Sequence, residues 1–457
     1  MRVVLLNSPV VARPTDSLQR TWAHPRIGVA SLAGFLRSHG CDVHVLDPHI
    51  EKLNAAVTAE RILAHNPACV GLPAFTEEIH SAALIAETVK KHNPRITTVI
   101  GGCHVSALPA ETLAEFLSFD IGVVGEGELP LLDLVTEKPL AGIPGIVFRD
   151  SADNPVVTAP RDDVLPLDTL PIPAWDLYDV GRYGFPLSIE LARCCPFACA
   201  FCFKSVGRRP RYKSPEKALD EIEYCITHYG VREFYFSSNG TYPLDKQHAM
   251  RLCAGIKARG LRIEWDASTR VDVLDEELIA LMRESGCRFI DFGIESGDPE
   301  VLRHCGKGTD LGITEKTIRL CHGAGIETEL NFILGLPYET PESIENTRRF
   351  AAKLRNCSTV ANFAILTPFP GTKVHDMAAR HEGGLRLKTK DWRLYTKQGG
   401  AAIVHDNFAE GELRKYQGRL YLSYYLTPRK ILQLLTSRNA MQLLDLRRAL
   451  HLLRQFR

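Results

Sequence analysis

Cys195, Cys199 and Cys202 stand at C-x3-C-x2-C spacing within Arg193-Cys194-Cys195-Pro196-Phe197-Ala198-Cys199-Ala200-Phe201-Cys202-Phe203. That spacing places three thiols on one tight loop. Three thiolates can hold three irons of a [4Fe-4S] cluster and leave the fourth iron without a protein ligand, open to a substrate or cofactor. The competing readings are a zinc site or three buried free thiols. A structural zinc site wants four ligands, usually as two separated pairs. Cys225, Cys253, Cys287, Cys305, Cys321 and Cys357 are instead scattered singly. Cys194 is a fourth local thiol, but sequence neighbours rarely ligate together. The spacing favours the cluster.

The elements around the loop predict where it sits. Apolar runs at 187–191, 234–236, 262–265, 289–293, 329–333 and 360–365 read as strands, with helical patterns at 244–259, 275–285, 314–324 and 343–354 between them. Ser214-Pro215-Glu216 opens a further helix, with serine as N-cap and proline at the first helical position. About six βα units imply a partial (β/α)6 TIM-like barrel, with chemistry at the carboxyl ends of its strands. The cysteine loop follows the first of those strands.

The first 150 residues alternate in the same way. Strands are expected at 3–6, 43–46, 70–72, 97–100 and 121–124, and helices at 27–39, 55–65, 77–91 and 110–116. This order predicts an α/β, doubly wound (Rossmann-like) parallel sheet that binds ligands beyond the carboxyl ends of its strands. The residues at those ends are Asn7-Ser8-Pro9, Asp47-Pro48-His49, Gly101-Gly102-Cys103-His104 and Gly125-Glu126-Gly127-Glu128. The G-x-G-x-x-G fingerprint is absent, which argues against NAD or FAD.

Composition bounds the partners. The chain has 457 residues, 45% apolar and 24% charged, with net charge +1. No bulk electrostatic case for nucleic acid exists. The opening MRVVLLNSPV reads as a buried strand rather than a secretory leader, and no apolar run has the length of a membrane span. Thirteen cysteines without a leader argue for a reducing cytoplasm. The expected organisation is 1–149, the doubly wound sheet domain; 150–185, a proline-rich linker; 186–385, the barrel; and 386–457, a helical C-terminal region.

The cysteine loop, with aromatic Phe201 just before the last cysteine, resembles the radical S-adenosylmethionine (SAM) family. Gly293-Ile294-Glu295-Ser296-Gly297 and Asn331-Phe332-Ile333-Leu334-Gly335-Leu336-Pro337 are similar to that family's strand-end signatures. The resemblance implies SAM contacts at Phe201, Ser237, Asn239, Glu295, Ser296, Asn331 and Leu336. Ser237-Ser238-Asn239-Gly240 stands where members often have two acidic residues, so hydroxyl and amide oxygens would replace carboxylates there. Arg270, in the family-like run from Trp265 to Asp272, reads equally as a polar anchor or as the buried partner of Asp272.

Residues 28–36, 101–109 and 125–128 resemble the cobalamin-binding domain that precedes many radical SAM domains. The implied contacts are Asn7, Pro9, Gly101, Gly102, His104, Glu126 and Gly127. Asp47-Pro48-His49 meets the first half of the D-x-H-x-x-G motif, but Lys52 stands in place of its glycine. That departure implies a corrin without a lower histidine ligand. The resemblance then implies a cobalamin-dependent methyltransferase acting on an unactivated carbon. A 5′-deoxyadenosyl radical would activate the substrate and methylcobalamin would supply the methyl group. A cyclase or other carbon-skeleton enzyme with the same cofactors is the alternative, and a cofactor-sensing protein without turnover is a third. No side chain is assigned as a catalytic acid, base or nucleophile. Implied partners are a small-molecule substrate (a natural product, tetrapyrrole or lipid-like compound) and an electron donor such as flavodoxin or ferredoxin.

Two features remain. Residues 203–213 carry five cations, which read as a solvated face or as an anion-facing strip. Residues 429–457 hold seven Lys or Arg against Asp445 alone, with Leu443, Leu446, Leu450 and Leu453 at helical spacing. The expectation is a helix packed over the barrel mouth, and the alternative is contact with an anionic membrane surface.

Overall fold

Apolar runs alternating with helical segments have nowhere to bury both faces except a parallel sheet lined by helices, and the computed structural model follows that rule twice. It describes residues 1–7, 25–184, 187–238, 241–396 and 400–436. The chain divides into two compact bodies, residues 1–188 with 203–207 and residues 189–202 with 208–457.

The strands of the first body are β1 (Arg2–Leu6), β2 (Asp42–Leu46), β3 (Cys69–Pro73), β4 (Thr97–Gly101), β5 (Ile121–Val123), β6 (Ile146–Arg149) and β7 (Pro155–Val157). Their order is β2-β1-β3-β4-β5-β6-β7. The first five run parallel and give a doubly wound sheet. Its topological switch point lies between β1 and β3, where such folds open a ligand crevice. Val3, Leu5, Val99 and Ile121 belong to its core.

β6 and β7 add to the five expected strands, and β7 lies where the proline-rich linker is expected. They pair antiparallel at the sheet edge. Asp150 makes the hairpin by accepting the Ala152 and Asn154 N–H groups, both at 2.9 Å. Pro155 opens the edge strand, a position that tolerates a missing N–H. The proline-rich stretch beyond is strapped to the helix Ile27–Ser38. Ala174 N–H donates to Ala30 O at 2.9 Å, and Trp175 is fully buried.

The second body holds β8 (Leu187–Arg193), β9 (Arg211–Tyr212), β10 (Glu233–Ser238), β11 (Glu264–Thr269), β12 (Cys287–Glu295), β13 (Glu327–Leu334) and β14 (Val360–Ile365). The sheet order is β14-β13-β12-β11-β10-β8-β9, an open partial barrel of six strands with β9 turned back antiparallel on β8. In β13, Thr328, Leu330, Phe332 and Leu334 are buried on one face while Glu327, Glu329, Asn331 and Ile333 line the other. This polar inner face explains why the third strand, expected at 262–265, runs instead over Glu264–Thr269. Its Asp266 and Ser268 interrupt the apolar run that the reading relied on.

The C-terminal region begins with a hairpin, β15 (Leu385–Leu387) against β16 (Ile403–His405), before the helices Glu412–Tyr425 and Pro428–Thr436. The first of these helices closes the open edge of β14 with side chains. Tyr425 OH accepts Ala361 N–H at 2.8 Å and donates to Ala361 O at 2.7 Å. Tyr421 OH accepts Phe363 N–H at 3.2 Å, and Gln417 Nε2 donates to Phe363 O at 2.6 Å. An edge satisfied in this way presents no ladder to another chain. Leu443, Leu446, Leu450 and Leu453 lie outside the described residues. Among the described residues, no helix is long and apolar enough to cross a membrane.

Candidate active site

β8 is buried along its whole length and delivers Cys194 with φ 71°, a left-handed turn that starts the cysteine loop. Four backbone contacts hold the loop. Cys202 N–H donates to Cys199 O at 3.2 Å, and Ala200 N–H donates to Cys305 O at 2.7 Å. Val374 N–H donates to Ala200 O at 3.0 Å. Gly306, at φ 68°, lies so close that a Cβ there would meet Ala198 O at 2.7 Å. Beneath the loop, Ala200 packs into an apolar cluster with Val301, Cys305, Leu336, Leu366, Val374, Leu385 and Ile403, and Phe201 rests on it. Cys195 is buried; Cys199 and Cys202 are half-buried.

Two cations flank the thiols. Arg270 stacks over the Phe197 ring with its guanidinium carbon 3.8 Å from the centroid, and its Nη1 lies 4.0 Å from Cys199 Sγ. The same guanidinium grips Asp272 at 2.9 and 2.6 Å and donates to Lys307 O at 2.9 Å. The pairing with Asp272, one of the two sequence readings of Arg270, is therefore made. Lys307 Nζ donates to Glu295 Oε1 at 3.1 Å, and both residues are buried. Burial pushes the Cys199 thiol up, while Lys307 and Arg270 pull it down. Among the described residues, no group of three or more His, Cys, Asp or Glu is arranged around a single metal ion. Thiolates that bind three different irons stand further apart than ligands of one ion. The all-sulfur donor set on a loop beside two cations suits an iron–sulfur cluster.

The residues expected to contact SAM fall into three groups. Phe201 lies on the loop and Glu295 ends β12, while Asn331 lies within β13 on its polar face. Glu295 has φ 70°, and the pairing of β12 with β13 shifts register between Gly293 and Glu295. That bulge turns Glu295 toward Lys307 and turns Ser296 the other way. Ser296 is fully buried, its Oγ 3.1 Å from Thr347 Oγ1, and it accepts Asp298 N–H at 3.1 Å. Leu336 is likewise fully buried beneath the cysteine loop. Ser237 is the next-to-last residue of β10, and Asn239 lies outside the described residues.

Inside the barrel stands a group that motif reading did not single out. Asp291 and Glu329 are register partners on neighbouring strands. Asn331 Nδ2 donates to Asp291 Oδ1. Burial pushes both carboxyls up, with Glu295 adding to the effect at Asp291 and Asp291 adding to it at Glu329. Asp266, on the next strand, is pushed up to about 7 by burial and by Glu233. The signal in the sequence was an acidic residue at every second place of a strand.

In the first body, the described residues among the expected cobalamin contacts lie at or beyond the carboxyl ends of β1, β4 and β5, in unequal roles. Asn7 is buried, with both ends of its amide in use: Nδ2 donates to Asp47 Oδ2 at 2.7 Å and Oδ1 accepts Arg26 N–H at 2.7 Å. Tyr183 OH donates to the same Asp47 oxygen at 2.8 Å. Pro9 lies outside the described residues. His104 is 1% exposed with Nδ1 3.3 Å from Thr76 Oγ1, and burial pulls its pKa down to about 4. Gly102, at φ 97°, has no room for a side chain, since a Cβ would meet Ala74 O at 2.8 Å. Gly101 beside it faces open space within 4 Å. Gly127 packs on Leu32, and Glu126 precedes it at the mouth of the helix Glu128–Val135. The open backbone at Gly101, at a strand end beside the switch point, fits close approach by a large flat ligand such as a corrin.

Comparison with known proteins agrees with this geometry. The sequence model of the radical SAM superfamily matches residues 189–351, and that of the B12 binding domain matches residues 20–135. A protein of Pyrococcus horikoshii described as an uncharacterized methyltransferase is 33% identical over 422 residues, which is 90% of this chain and 89% of that protein. The anaerobic magnesium-protoporphyrin IX monomethyl ester cyclase of Rubrivivax gelatinosus is 31% identical over 363 residues, 76% of this chain but 65% of that one. Among solved structures, the radical SAM methyltransferase TsrM of Kitasatospora setae, with cobalamin and a [4Fe-4S] cluster bound, shares the fold at a TM-score of 0.75 and 21% identity. The alignment covers 92% of this chain and 90% of that one. The two matched models are those of a radical SAM domain and a B12 binding domain, in line with the cofactors expected from the sequence. The chain belongs to the radical SAM enzymes that carry a B12-binding domain.

Proposed function

We propose that this protein is a cobalamin-dependent radical SAM methyltransferase that methylates an unactivated carbon of a small molecule. The observation that carries the proposal is the three-cysteine loop on the first strand of an open parallel barrel, in a chain alike over 90% of its length to a methyltransferase. When bound, the cluster and SAM supply radical chemistry and the corrin supplies a methyl group.

The chain's own residues do the rest. Cys195, Cys199 and Cys202 are the cluster ligands. Arg270 and Lys307 hold positive charge against them, which favours thiolate over thiol. Glu295, fixed by Lys307, offers a carboxylate at a strand end, where SAM hydroxyl or amino groups need an acceptor. Phe201 and Asn331 flank the same region. In the first body, Gly101 lets the corrin approach the backbone, while Asn7 and Gly102 shape the crevice from within. The supporting partners are a natural product, tetrapyrrole or lipid-like substrate and a flavodoxin or ferredoxin as electron donor, in a reducing cytoplasm.

Anaerobic incubation with methyl-labelled SAM tests the reading. Label should pass to a carbon of the product, with 5′-deoxyadenosine and S-adenosylhomocysteine both formed. The similarity to a cyclase supports a second reading, in which 5′-deoxyadenosine forms, the label stays in methionine and neither labelled product nor S-adenosylhomocysteine appears.

A further inference from the structure

Glu295 ends β12 at φ 70°, a conformation that a residue bearing a side chain holds only where its surroundings impose it. Lys307 grips its carboxylate from one side at 3.1 Å. The residues that follow it are gripped by the helix Pro341–Leu354, through Thr347 and Asn346. Thr347 is fully buried, and the partners of its hydroxyl fix where each proton goes. Ser343 O can only accept, so the Thr347 hydroxyl donates to it, at 3.1 Å. Gly297 N–H can only donate, and it reaches Thr347 Oγ1 at 2.9 Å. The Ser296 hydroxyl, 3.1 Å away, therefore donates to Thr347 as well, while its own oxygen accepts Asp298 N–H at 3.1 Å. One threonine thus ties down the two residues after Glu295. Gly297 shows how close the approach is. A Cβ there would meet Thr347 Cα at 2.6 Å, Phe350 Cβ at 2.7 Å and Asn346 O at 3.0 Å.

Asn346 extends the grip by one residue. Its Nδ2 donates to Asp298 Oδ2 at 2.8 Å, and Asp298 Oδ1 accepts the N–H groups of Glu300 and Val301 at 3.0 and 3.2 Å. Asp298 thereby starts the helix Pro299–His304, which runs into Cys305, Gly306 and Lys307. Cys305 O and Gly306 support the cysteine loop, and Lys307 returns to Glu295. The whole segment 295–307 is therefore a closed loop pinned to one helix. We propose that Thr347, with Asn346, is a positioning residue for SAM binding, holding the bulge after β12 so that the Glu295 carboxylate keeps its place at the strand end. Without the Thr347 hydroxyl, Gly297 N–H and the Ser296 hydroxyl lose their acceptor at buried positions, and the strain at Glu295 gains a route to relax. The proposal rests on the reading that Glu295 serves SAM, and Thr347 acts through that carboxylate rather than on the ligand.

The test is equilibrium dialysis of radiolabelled SAM against the full chain, reconstituted anaerobically with iron and sulfide. Iron content and amide exchange at Gly297 are read on each variant. Glu295→Gln should weaken SAM binding about tenfold. Thr347→Val keeps the side-chain shape and removes the hydroxyl. It should weaken binding by a similar factor and speed exchange at Gly297, with iron held at the parent level. Thr347→Ser should restore both. Asn346→Ala, at a half-buried position, should weaken binding about threefold, and it carries the same comparisons if Thr347→Val does not retain iron. The double variant Thr347→Val with Glu295→Gln should bind no worse than Glu295→Gln alone, because one residue acts through the other. Losses that add, or parent-like binding in Thr347→Val while Glu295→Gln is weakened, overturn the positioning role and leave the reading of Glu295 standing. So do unchanged exchange at Gly297 and a loss of SAM that only follows lost iron in both variants. Parent-like binding in Glu295→Gln overturns the positioning role and the reading of Glu295 together.

Discussion

Arg270 Nη1 stands 4.0 Å from Cys199 Sγ while the same guanidinium is locked on Asp272 at 2.9 and 2.6 Å. The carboxylate thus aims a fixed positive charge at one thiol of the cysteine loop. Arg270→Met removes the charge and leaves Asp272 and the Lys307 carbonyl without their donor. The expected loss is about 2 kcal/mol of stability, read as a lowered denaturant midpoint. Adding Asp272→Leu should restore part of it. Arg270→Lys should not rescue fully, because an ammonium cannot grip a carboxylate bidentately and stack on Phe197. Full stability in Arg270→Met would remove the structural half of this account.

The carboxyls inside the barrel make stability fall with rising pH. Asp266 is raised to about 7 in the folded chain, against an unfolded value near 4. Between these values the folded state holds the proton and the unfolded state does not. The folded protein therefore loses stability across that window, and the loss is complete above about 7. Asp291 and Glu329 act in the same direction. Asp266→Asn should flatten the fall of melting temperature between pH 5 and 8. At pH 8 it should melt roughly 2–4 °C above the parent for each kcal/mol recovered. Parallel pH curves for parent and variant would contradict the burial of this group.

Tyr425 satisfies both backbone groups of Ala361 at the open edge of β14. Tyr425→Phe should cost about 1–3 kcal/mol and speed amide exchange at Ala361. Tyr416→Phe, whose ring contacts Phe408 and Arg419 rather than the strand, is the control and should change neither.

At the end of β4, the two glycines should separate ligand binding from folding. Gly101→Leu extends into open space and should lower corrin retention, with iron content and melting temperature held. Gly102→Leu meets Ala74 and should destabilise the first body whether or not corrin is present. Corrin retention unchanged in Gly101→Leu would move the crevice away from this loop.

The sequence revealed what is local. The cysteine spacing, the alternation of strands and helices, and the Ser214 cap, whose Oγ accepts Lys217 N–H at 3.2 Å, are all decided within a few residues. Contacts made across long separations were not legible. Tyr425 reaches back 64 residues to Ala361, and Arg270 reaches 71 residues to Cys199. The side toward which a strand-end residue faces was also hidden. Glu295 and Ser296 are adjacent in sequence, and only the bulge at Glu295 sends one toward Lys307 and the other toward Thr347. Five cations after the cysteines read as one strip, yet Lys213 is buried in an ion pair with Glu221. Asp266, Asp291 and Glu329 broke the apolar pattern because the inside of an open barrel is polar.

Anaerobic reconstitution of the full chain with iron, sulfide and hydroxocobalamin, followed by desalting, tests the central claim most directly. The account predicts about four irons and one corrin per chain, with Cys199→Ala losing the iron and keeping the corrin. Iron and brown colour surviving in Cys199→Ala would contradict the cluster assignment, and four irons without corrin would contradict methyl transfer through cobalt.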